Sequence, residues 1–222
     1  MKTTAIIVAA GSGSRFNSET PKQFLEINGK PVIVHAIERF EAAPSVDAIV
    51  LVLAKDQIGK LDLARFTKLQ AIVAGGSSRV TSVSNGLNAV SADTAIVAVH
   101  DGARPLVTVD EIERTIESAK QTGAACLVAT VTDTIKSIRG DEIAATLDRN
   151  QLRRALTPQA FRLEVLKKAY DGADLNESVT DECYLVERLG HPIAIVEGSV
   201  RNIKITHPED LILAEALLRS GK

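Results

Sequence analysis

Fixed positive charges follow a glycine-rich segment near the start of the chain. Gly11 and Gly13 come directly after the apolar run Ala5–Ala9, and Arg15 and Lys22 follow them. Glycines let a ligand approach the backbone closely, so that successive N–H groups can point at it. Fixed cations suit a polyphosphate whose negative charge increases during a reaction. The segment therefore predicts a polyphosphate-binding loop.

Two other nucleotide-binding loops match this segment poorly. A Walker A loop requires Gly-Lys-Ser/Thr at a set spacing, which is missing here. The dinucleotide fingerprint requires a third glycine where this chain has Phe16, and Pro21 argues against one helix running through the segment. An ordinary strand-to-loop turn with surface cations is the remaining alternative.

A second glycine segment follows another apolar run. Gly76 and Ser77 lie within G-G-S-S-R-V-T-S-V, residues 75–83. Ser82 is placed near the start of a helix, where its hydroxyl could either cap the backbone or contact a base. The segment predicts a second close approach between backbone and ligand, and it leaves both roles of Ser82 open.

Asp101 is the best candidate for a metal ligand. It stands at the end of an apolar run, beside Gly102 and shortly before Arg104. Mg²⁺ prefers one or two carboxylates together with phosphate oxygens and water. The alternative for Asp101 is the start of a turn, and His100 is expected to be a packed or hydrogen-bonded residue rather than a ligand or base.

Short apolar strands alternate with amphipathic helical segments and position these residues. The expected strands are Ala5–Ala9, Ala48–Leu53, Ala71–Val73, Ala95–Val99, Ala124–Ala129 and Ile193–Val196. Their nearly continuous apolar character is typical of strands buried on both faces. Capping boxes are expected at Thr108–Glu111 and Thr206–Glu209. The order predicts an α/β fold with a mostly parallel sheet, helices on both faces, and ligands at the carboxyl ends of the strands.

The alternation breaks between residues 131 and 158, where polar sequence surrounds a turn-like Arg139-Gly140-Asp141. This indicates a hairpin that leaves the sheet. It is either an ordinary surface insertion or an arm that packs on a second subunit, and we favour the arm.

Composition limits the remaining classes of function. The 222 residues are 45% hydrophobic and carry a net charge of −2, which gives no general attraction to nucleic acid or anionic membranes. Two distant cysteines lack metal-site spacing, and a signal peptide or long apolar span is missing. We expect a cytoplasmic protein with reduced thiols.

Taken together, the motifs resemble those of the 2-C-methyl-D-erythritol 4-phosphate cytidylyltransferases of the non-mevalonate isoprenoid pathway. The resemblance spans nearly the whole chain and rests on A-A-G-S-G-S-R-F, P-K-Q, G-G-S-S-R-V-T-S-V, H-D-G-A-R-P, D-T-I-K, D-R-N, L-T-P-Q-A-F, T-D-E and N-I-K-I-T-H-P-E-D-L. It implies a Rossmann-like nucleotidyltransferase fold in a single domain, residues 1–222, with a protruding β-arm at about residues 131–157 through which two copies dimerise. It also implies CTP and a polyol phosphate as substrates, and Mg²⁺ as cofactor.

The resemblance also implies roles for individual residues. The catalytic cations would be Arg15, Lys22, Arg149 and Lys204. CTP would be bound by Ala9, Ala10, Gly11, Gly13, Arg15, Lys22, Gly76, Ser77, Ser82, Asp101 and Gly102. The second substrate would be bound by Asp101, Arg104, Thr134, Arg149, Thr157, Thr180 and Lys204, with Asp101 as the metal ligand. Ser77 stands where some relatives carry Asp, so its side chain contributes less or its backbone acts instead.

Two alternatives to this activity stay open at the level of sequence. A ribitol 5-phosphate cytidylyltransferase shares the CTP motifs, although D-T-I-K and T-D-E favour methylerythritol phosphate. A catalytically silent nucleotide-binding paralogue could keep the glycines, but this chain also retains Arg15, Lys22 and Asp101.

Overall fold

A seven-stranded sheet forms the centre of the protein in a computed structural model, which describes residues 1–11, 21–173 and 179–220. The strands are β1 (Lys2–Ala9), β2 (Glu26–Ile27), β3 (Lys30–Pro31), β4 (Ala48–Leu53), β5 (Leu69–Ala74), β6 (Thr94–Asp101), β7 (Ala124–Thr130), β8 (Lys136–Arg139), β9 (Glu142–Thr146), β10 (Arg153–Arg162) and β11 (Ala194–Glu197). The helices are α1 (Val32–Ala42), α2 (Arg79–Asn88), α3 (Val109–Thr122), α4 (Leu163–Asp171), α5 (Glu182–Arg188) and α6 (Glu209–Ser220).

The strand order of the large sheet is β11-β7-β10-β6-β1-β4-β5. Strand β10 is antiparallel to β6 and β7, and the other neighbouring pairs are parallel, which confirms the mostly parallel sheet. From β1 the chain passes outward through β4 to β5, and then crosses to β6 on the other side of β1. In open α/β sheets the crevice at such a reversal is where ligands bind.

Helices cover both faces of the sheet, as predicted. Apolar side chains of α1 and α3, such as Phe40 and Ile116, pack on one face. Side chains of α2, α4 and α5, such as Val83 and Leu166, pack on the other. The central strands β1, β4, β6 and β7 are buried almost throughout, whereas β5 and β11 are partly exposed because they form the two edges.

The strand β10 is absent from the elements that the sequence predicts. It begins with the polar residues Arg153 and Arg154 and contains Pro158, which is unfavourable inside a sheet. The structure accommodates Pro158 because the register with β7 shifts between Ala155 and Gln159. The intervening residues are released from regular pairing, and one of them, Thr157, contacts the functional site.

The hairpin expected between residues 131 and 158 is present as β8 and β9. Two register partners on it, Ile138 and Ile143, are 72% and 67% exposed. Residues 153–157, within the expected arm, form the first half of β10. None of the helices in the three described ranges combines the length and apolar character that a membrane crossing needs.

The two expected capping boxes have different outcomes. At α3 the box is confirmed, since Thr108 and Glu111 each bond to the other's backbone N–H. At α6 the prediction is wrong in its acidic member. Asp210, rather than Glu209, accepts hydrogen bonds from the N–H groups of Thr206 and His207, at 2.7 and 2.8 Å.

Candidate active site

A pocket of about 530 Å³ opens at the carboxyl ends of β1, β5 and β6. It lies at the reversal of strand order, and it contains most of the residues that the sequence predicts for CTP. Its lining consists of Val8, Ala9, Ala10, Gly11, Lys22, Gln23, Gly76, Ser77, Ser78, Arg79, Ser82, Asp101, Ala103, Lys204 and Thr206.

The two glycine segments are pressed against each other at this pocket. A Cβ atom added to Gly75 would collide with the Cβ of Ala10, and one added to Gly76 would collide with Thr81. Just after β6, a Cβ at Gly102 would collide with Ile33. Gly75 and Gly102 let the loops after three strands converge on one cavity, because a side chain at either would collide with the end of β1 or with α1, whereas Gly76 lets its own loop fold back on the start of α2.

Ser82 ties the second loop to the start of α2. Its hydroxyl donates to the carbonyl of Ser78 at 2.8 Å and accepts from the N–H of Gly76 at 3.1 Å. The N-cap itself is Ser78, which forms a capping box with Thr81. Ser82 therefore orders the loop rather than capping the helix, and its hydroxyl is already engaged within the protein.

Lys22 is brought to the pocket by its neighbour Gln23, a residue for which sequence reasoning predicted no role. The side-chain amide of Gln23 is buried and donates to the carbonyls of Ala9 and Gly11, at 2.7 and 3.2 Å. These bonds fasten the short 3₁₀ helix Lys22–Phe24 to the end of β1. The P-K-Q motif thus combines a cation with the residue that positions it.

Asp101 is a buried carboxylate on which three cations converge. The Nε of Arg79 lies 3.0 Å from one oxygen, and the Nζ of Lys204 lies 2.8 Å from the other. The Nε of Arg104 lies 3.6 Å from that second oxygen. Burial alone would raise the pKa of Asp101, but the attraction of Arg79, Lys204 and Arg104 outweighs it and holds the pKa well below its usual range.

Arg79 is a central residue of the site that sequence reasoning missed. Besides Asp101 it binds the fully buried carboxylate of Glu182 through both terminal nitrogens, at 2.7 and 2.9 Å. The hydroxyl of Tyr170 donates to the same carboxylate at 3.2 Å. The partners of Arg79 lie 22 and 103 residues away in the chain, so local spacing carried no signal of them.

Thr157 supports Asp101 from behind. His100 is completely buried, which lowers its pKa to about 4 and keeps the imidazole neutral. Its Nε2 is 3.1 Å from the carbonyl of Arg104, which can only accept, so Nε2 carries the proton. The Thr157 hydroxyl therefore donates to Nδ1 at 3.0 Å and accepts from the backbone N–H of Asp101 at 3.1 Å. This confirms that His100 is a hydrogen-bonded residue.

Comparison with known proteins decides the family. The family model for 2-C-methyl-D-erythritol 4-phosphate cytidylyltransferase matches residues 3–220. A protein of that name from Syntrophus aciditrophicus is 44% identical over 98% of this chain and 96% of its own length. The chain belongs to the 2-C-methyl-D-erythritol 4-phosphate cytidylyltransferase family. This membership favours methylerythritol phosphate over the ribitol phosphate that the sequence left open.

Further members of this cytidylyltransferase family are similar to the chain over nearly its full length, in sequence and in fold. The Geobacillus kaustophilus relative is 44% identical and covers 99% of this chain and 98% of its own. The crystal structure of the cytidylyltransferase from Thermus thermophilus superposes with a TM-score of 0.80, at 32% identity, covering 99% of this chain and 100% of that one. The fold and the cytidylyltransferase activity inferred from sequence are confirmed.

Several residues expected to bind the second substrate of the cytidylyltransferase are not among the residues that line the pocket. Thr134 and Arg149 are exposed at the base of the β8–β9 hairpin, where Arg149 donates to the carbonyl of Thr132 at 2.6 Å. Thr180 is exposed and directly precedes Asp181, the N-cap of α5. Their contacts with substrate stay predictions.

The other expected residues fall into three groups. Gly102 and Arg104 are buried beside Asp101, behind the pocket lining. Gly13 and Arg15 lie outside the described residues. Ser77 is exposed at the pocket, where either its backbone or its hydroxyl can face a ligand.

Proposed function

We propose that this chain transfers the cytidylyl group of CTP to 2-C-methyl-D-erythritol 4-phosphate, and that the pocket at β1, β5 and β6 is where it does so. The observation that supports this most strongly is Asp101, a carboxylate among cations that shares one cavity with Lys22 and two glycine loops. Such a cavity suits a reaction between two anions, in which charge neutralisation and alignment supply most of the catalysis.

The chemical step needs no general base. An oxygen of the methylerythritol phosphate is already anionic near neutral pH, and it attacks the α-phosphorus of CTP. The bond from that phosphorus to the oxygen bridging to the β-phosphorus breaks, and pyrophosphate leaves with the electron pair. Lys22 and Arg15 would stabilise the charge that develops on the α-phosphate, while Arg149 and Lys204 would hold the attacking phosphate. His100 is buried and both of its ring nitrogens are hydrogen-bonded within the protein, so it has no proposed role in proton transfer.

The residues present fit a magnesium ion that is completed by substrate. Among the described residues there is no group of three His, Cys, Asp or Glu side chains that could hold a metal alone. Mg²⁺ requires only one or two protein carboxylates where phosphate oxygens and water supply the rest. Asp101 would hold the ion against the triphosphate, and the bound ion would contribute charge stabilisation.

We further propose that the active form is a homodimer in which the arm reaches the neighbouring subunit. Thr134 and Arg149 are exposed and do not line the pocket of their own chain, and the hairpin exposes Ile138 and Ile143. Exposed apolar side chains on a projecting hairpin are typical of a contact surface. Cys126 and Cys183 are buried free thiols, which supports a reducing compartment such as the cytoplasm.

The decisive experiment offers the purified chain CTP with either methylerythritol 4-phosphate or ribitol 5-phosphate and measures pyrophosphate release. We expect Mg²⁺-dependent release with methylerythritol phosphate and at most a small fraction of that rate with ribitol phosphate. Efficient turnover of ribitol phosphate, or none with either alcohol at saturating CTP and Mg²⁺, would contradict the proposal.

A further inference from the structure

Glu182 is a buried charge that the proposed reaction does not use. Its carboxylate is inaccessible to solvent, at 0% exposure, and lies one layer behind the pocket. It accepts both terminal nitrogens of Arg79, at 2.7 and 2.9 Å, and the hydroxyl of Tyr170 at 3.2 Å. Burying a carboxylate is unfavourable unless it is paired and hydrogen-bonded, so the burial of Glu182 depends on these bonds to Arg79 and Tyr170.

The bidentate pair fixes which atom of Arg79 faces the pocket. A guanidinium is planar and presents its donors as a rigid fork. With both terminal nitrogens held by Glu182, Arg79 offers only its Nε to Asp101, at 3.0 Å. Arg79 is thereby prevented from forming a second, bidentate pair with Asp101, and the Asp101 oxygens keep acceptor capacity for a ligand.

Glu182 also sets the charge around Asp101. Three cations, Arg79, Arg104 and Lys204, stand against the two carboxylates, so the cluster carries a net charge of +1. Without the charge of Glu182 the same cluster would carry +2. That change favours a bare anion and disfavours a metal cation at Asp101.

We propose that Glu182 is a positioning residue that acts through Arg79, keeping Asp101 available to the metal complex of the nucleotide. This inference rests on the proposed function, because it assigns to Asp101 the binding of the magnesium complex of CTP. It predicts that a neutral side chain at position 182 lets Arg79 turn its fork onto Asp101.

The test compares binding of CTP with and without Mg²⁺ by titration calorimetry, in the absence of the second substrate. In Glu182→Gln we expect the affinity gained by adding Mg²⁺ to fall about tenfold relative to the unsubstituted protein, because one charge-assisted hydrogen bond of this kind typically contributes that much. Affinity for metal-free CTP should stay unchanged or rise. A purely structural role would weaken both forms of the nucleotide equally.

Glu111→Gln is the matched control. Glu111 is also a buried carboxylate, at 3% exposure, and accepts from the backbone N–H groups of Thr108 and Ser199 at 2.9 and 2.7 Å. It lies on α3, and these bonds hold it to the loops at residues 108 and 199 rather than to Arg79 or Asp101. We expect Glu111→Gln to lower thermal stability as Glu182→Gln does, while keeping the full gain in CTP affinity that Mg²⁺ provides. An unchanged gain in Glu182→Gln, or an equal loss in both variants, would overturn the proposal.

A double-mutant cycle separates action through Arg79 from independent action. Removing the charge of Glu182 should lower the Mg²⁺ response much less in an Arg79→Gln background than in the unsubstituted protein, because only the direct effect of that charge on Asp101 is left once Arg79 is gone. Additive losses would overturn the proposal. If Glu182→Gln does not fold, Tyr170→Phe removes one hydrogen bond to the same carboxylate. In that variant the affinity for CTP gained by adding Mg²⁺ should fall by a smaller factor. An unchanged gain in Tyr170→Phe would overturn the proposal as well.

The unsubstituted protein keeps this inference distinguishable from the proposed function. If that protein fails to bind CTP, or fails to convert it with methylerythritol phosphate, the proposed function is wrong. If it does both and the Glu182 variants respond to Mg²⁺ as it does, only the positioning role is wrong.

Discussion

Replacing Asp101 with asparagine removes the carboxylate on which Arg79, Lys204 and Arg104 converge. Two nitrogens lie 3.0 and 2.8 Å from its oxygens, and the third lies 3.6 Å away. Removing one partner of a buried ion pair typically costs about 3–5 kcal/mol. Asparagine retains one acceptor and the pocket is open to water, so we expect a loss near the lower end, about 3 kcal/mol in the free energy of unfolding. For a chain of this size that lowers the melting temperature by roughly 6–12 °C.

The pH dependence of this loss has a definite sign. Burial opposes ionisation of Asp101, but its cations hold the folded-state pKa far below the unfolded value. A lowered pKa contributes stability that is present above the unfolded pKa of about 3.9 and is lost as the pH falls toward the folded pKa. The difference in melting temperature between the two proteins should therefore be constant from about pH 7 to about pH 5 and narrow below about pH 4.

Thermal unfolding across this pH range measures the effect, and pyrophosphate release measures the accompanying loss of turnover, which we expect to reach at least about 10²-fold. Equal melting temperatures at neutral pH, or a difference that widens in acid, would refute the electrostatic reasoning about Asp101. Turnover close to normal at limiting Mg²⁺ would refute its assignment to the metal.

The remaining predictions concern the charge of the transition state, the choice of base and the shared site. Lys22→Ala should lower kcat by about 10²–10³ with little change in the KM for CTP, and the reverse pattern would make Lys22 a ground-state contact. CTP should be preferred to UTP, because a loop at residues 75–82 that presents carbonyls to the cytosine amino group leaves one of those carbonyls unpaired when uracil is bound. The loss is roughly 1–3 kcal/mol. Comparable kcat/KM values for CTP and UTP would contradict this prediction. Arg15→Ala and Arg149→Ala should each be nearly inactive, yet refolding equal amounts together should restore about a quarter of the activity per site through mixed dimers. Verified mixed dimers without recovery would show that Arg149 acts in its own subunit.

Local sequence patterns were sufficient to predict the site residues that lie where strands end in loops. The strands before Gly11, Gly76 and Asp101 are apolar runs, and parallel strands bring their carboxyl ends to one edge, so the location of the pocket followed from the alternation. Residues whose role depends on a distant partner were not predictable in this way. Arg79 meets Glu182 across 103 positions, and Gln23 acts on backbone carbonyls that any sequence provides.

Strand β10 was missed for a different physical reason. Its polar start and Pro158 are unfavourable for a strand when judged locally, and only pairing with β6 and β7 on both sides stabilises it. Similarly, Ser78 and Ser82 are four residues apart and both suit a helix start. Which of them caps α2 and which holds the loop is decided by where the loop turns, and the structure makes Ser78 the cap and Ser82 the residue that holds the loop.

The direction of β10 has a consequence for how this fold can vary. Strand β7 ends at the pocket edge of the sheet, and because β10 runs against it, β10 begins at that same edge. Any chain inserted between these strands therefore emerges at the pocket edge of the sheet and not at the opposite edge. The irregular pairing around Thr157 lies inside the sheet, downstream of the insertion, so a change in the length of the hairpin tip leaves the support of Asp101 in place. The tip of the hairpin can therefore vary on a fixed frame, whereas Arg149 at its base belongs to the proposed shared site.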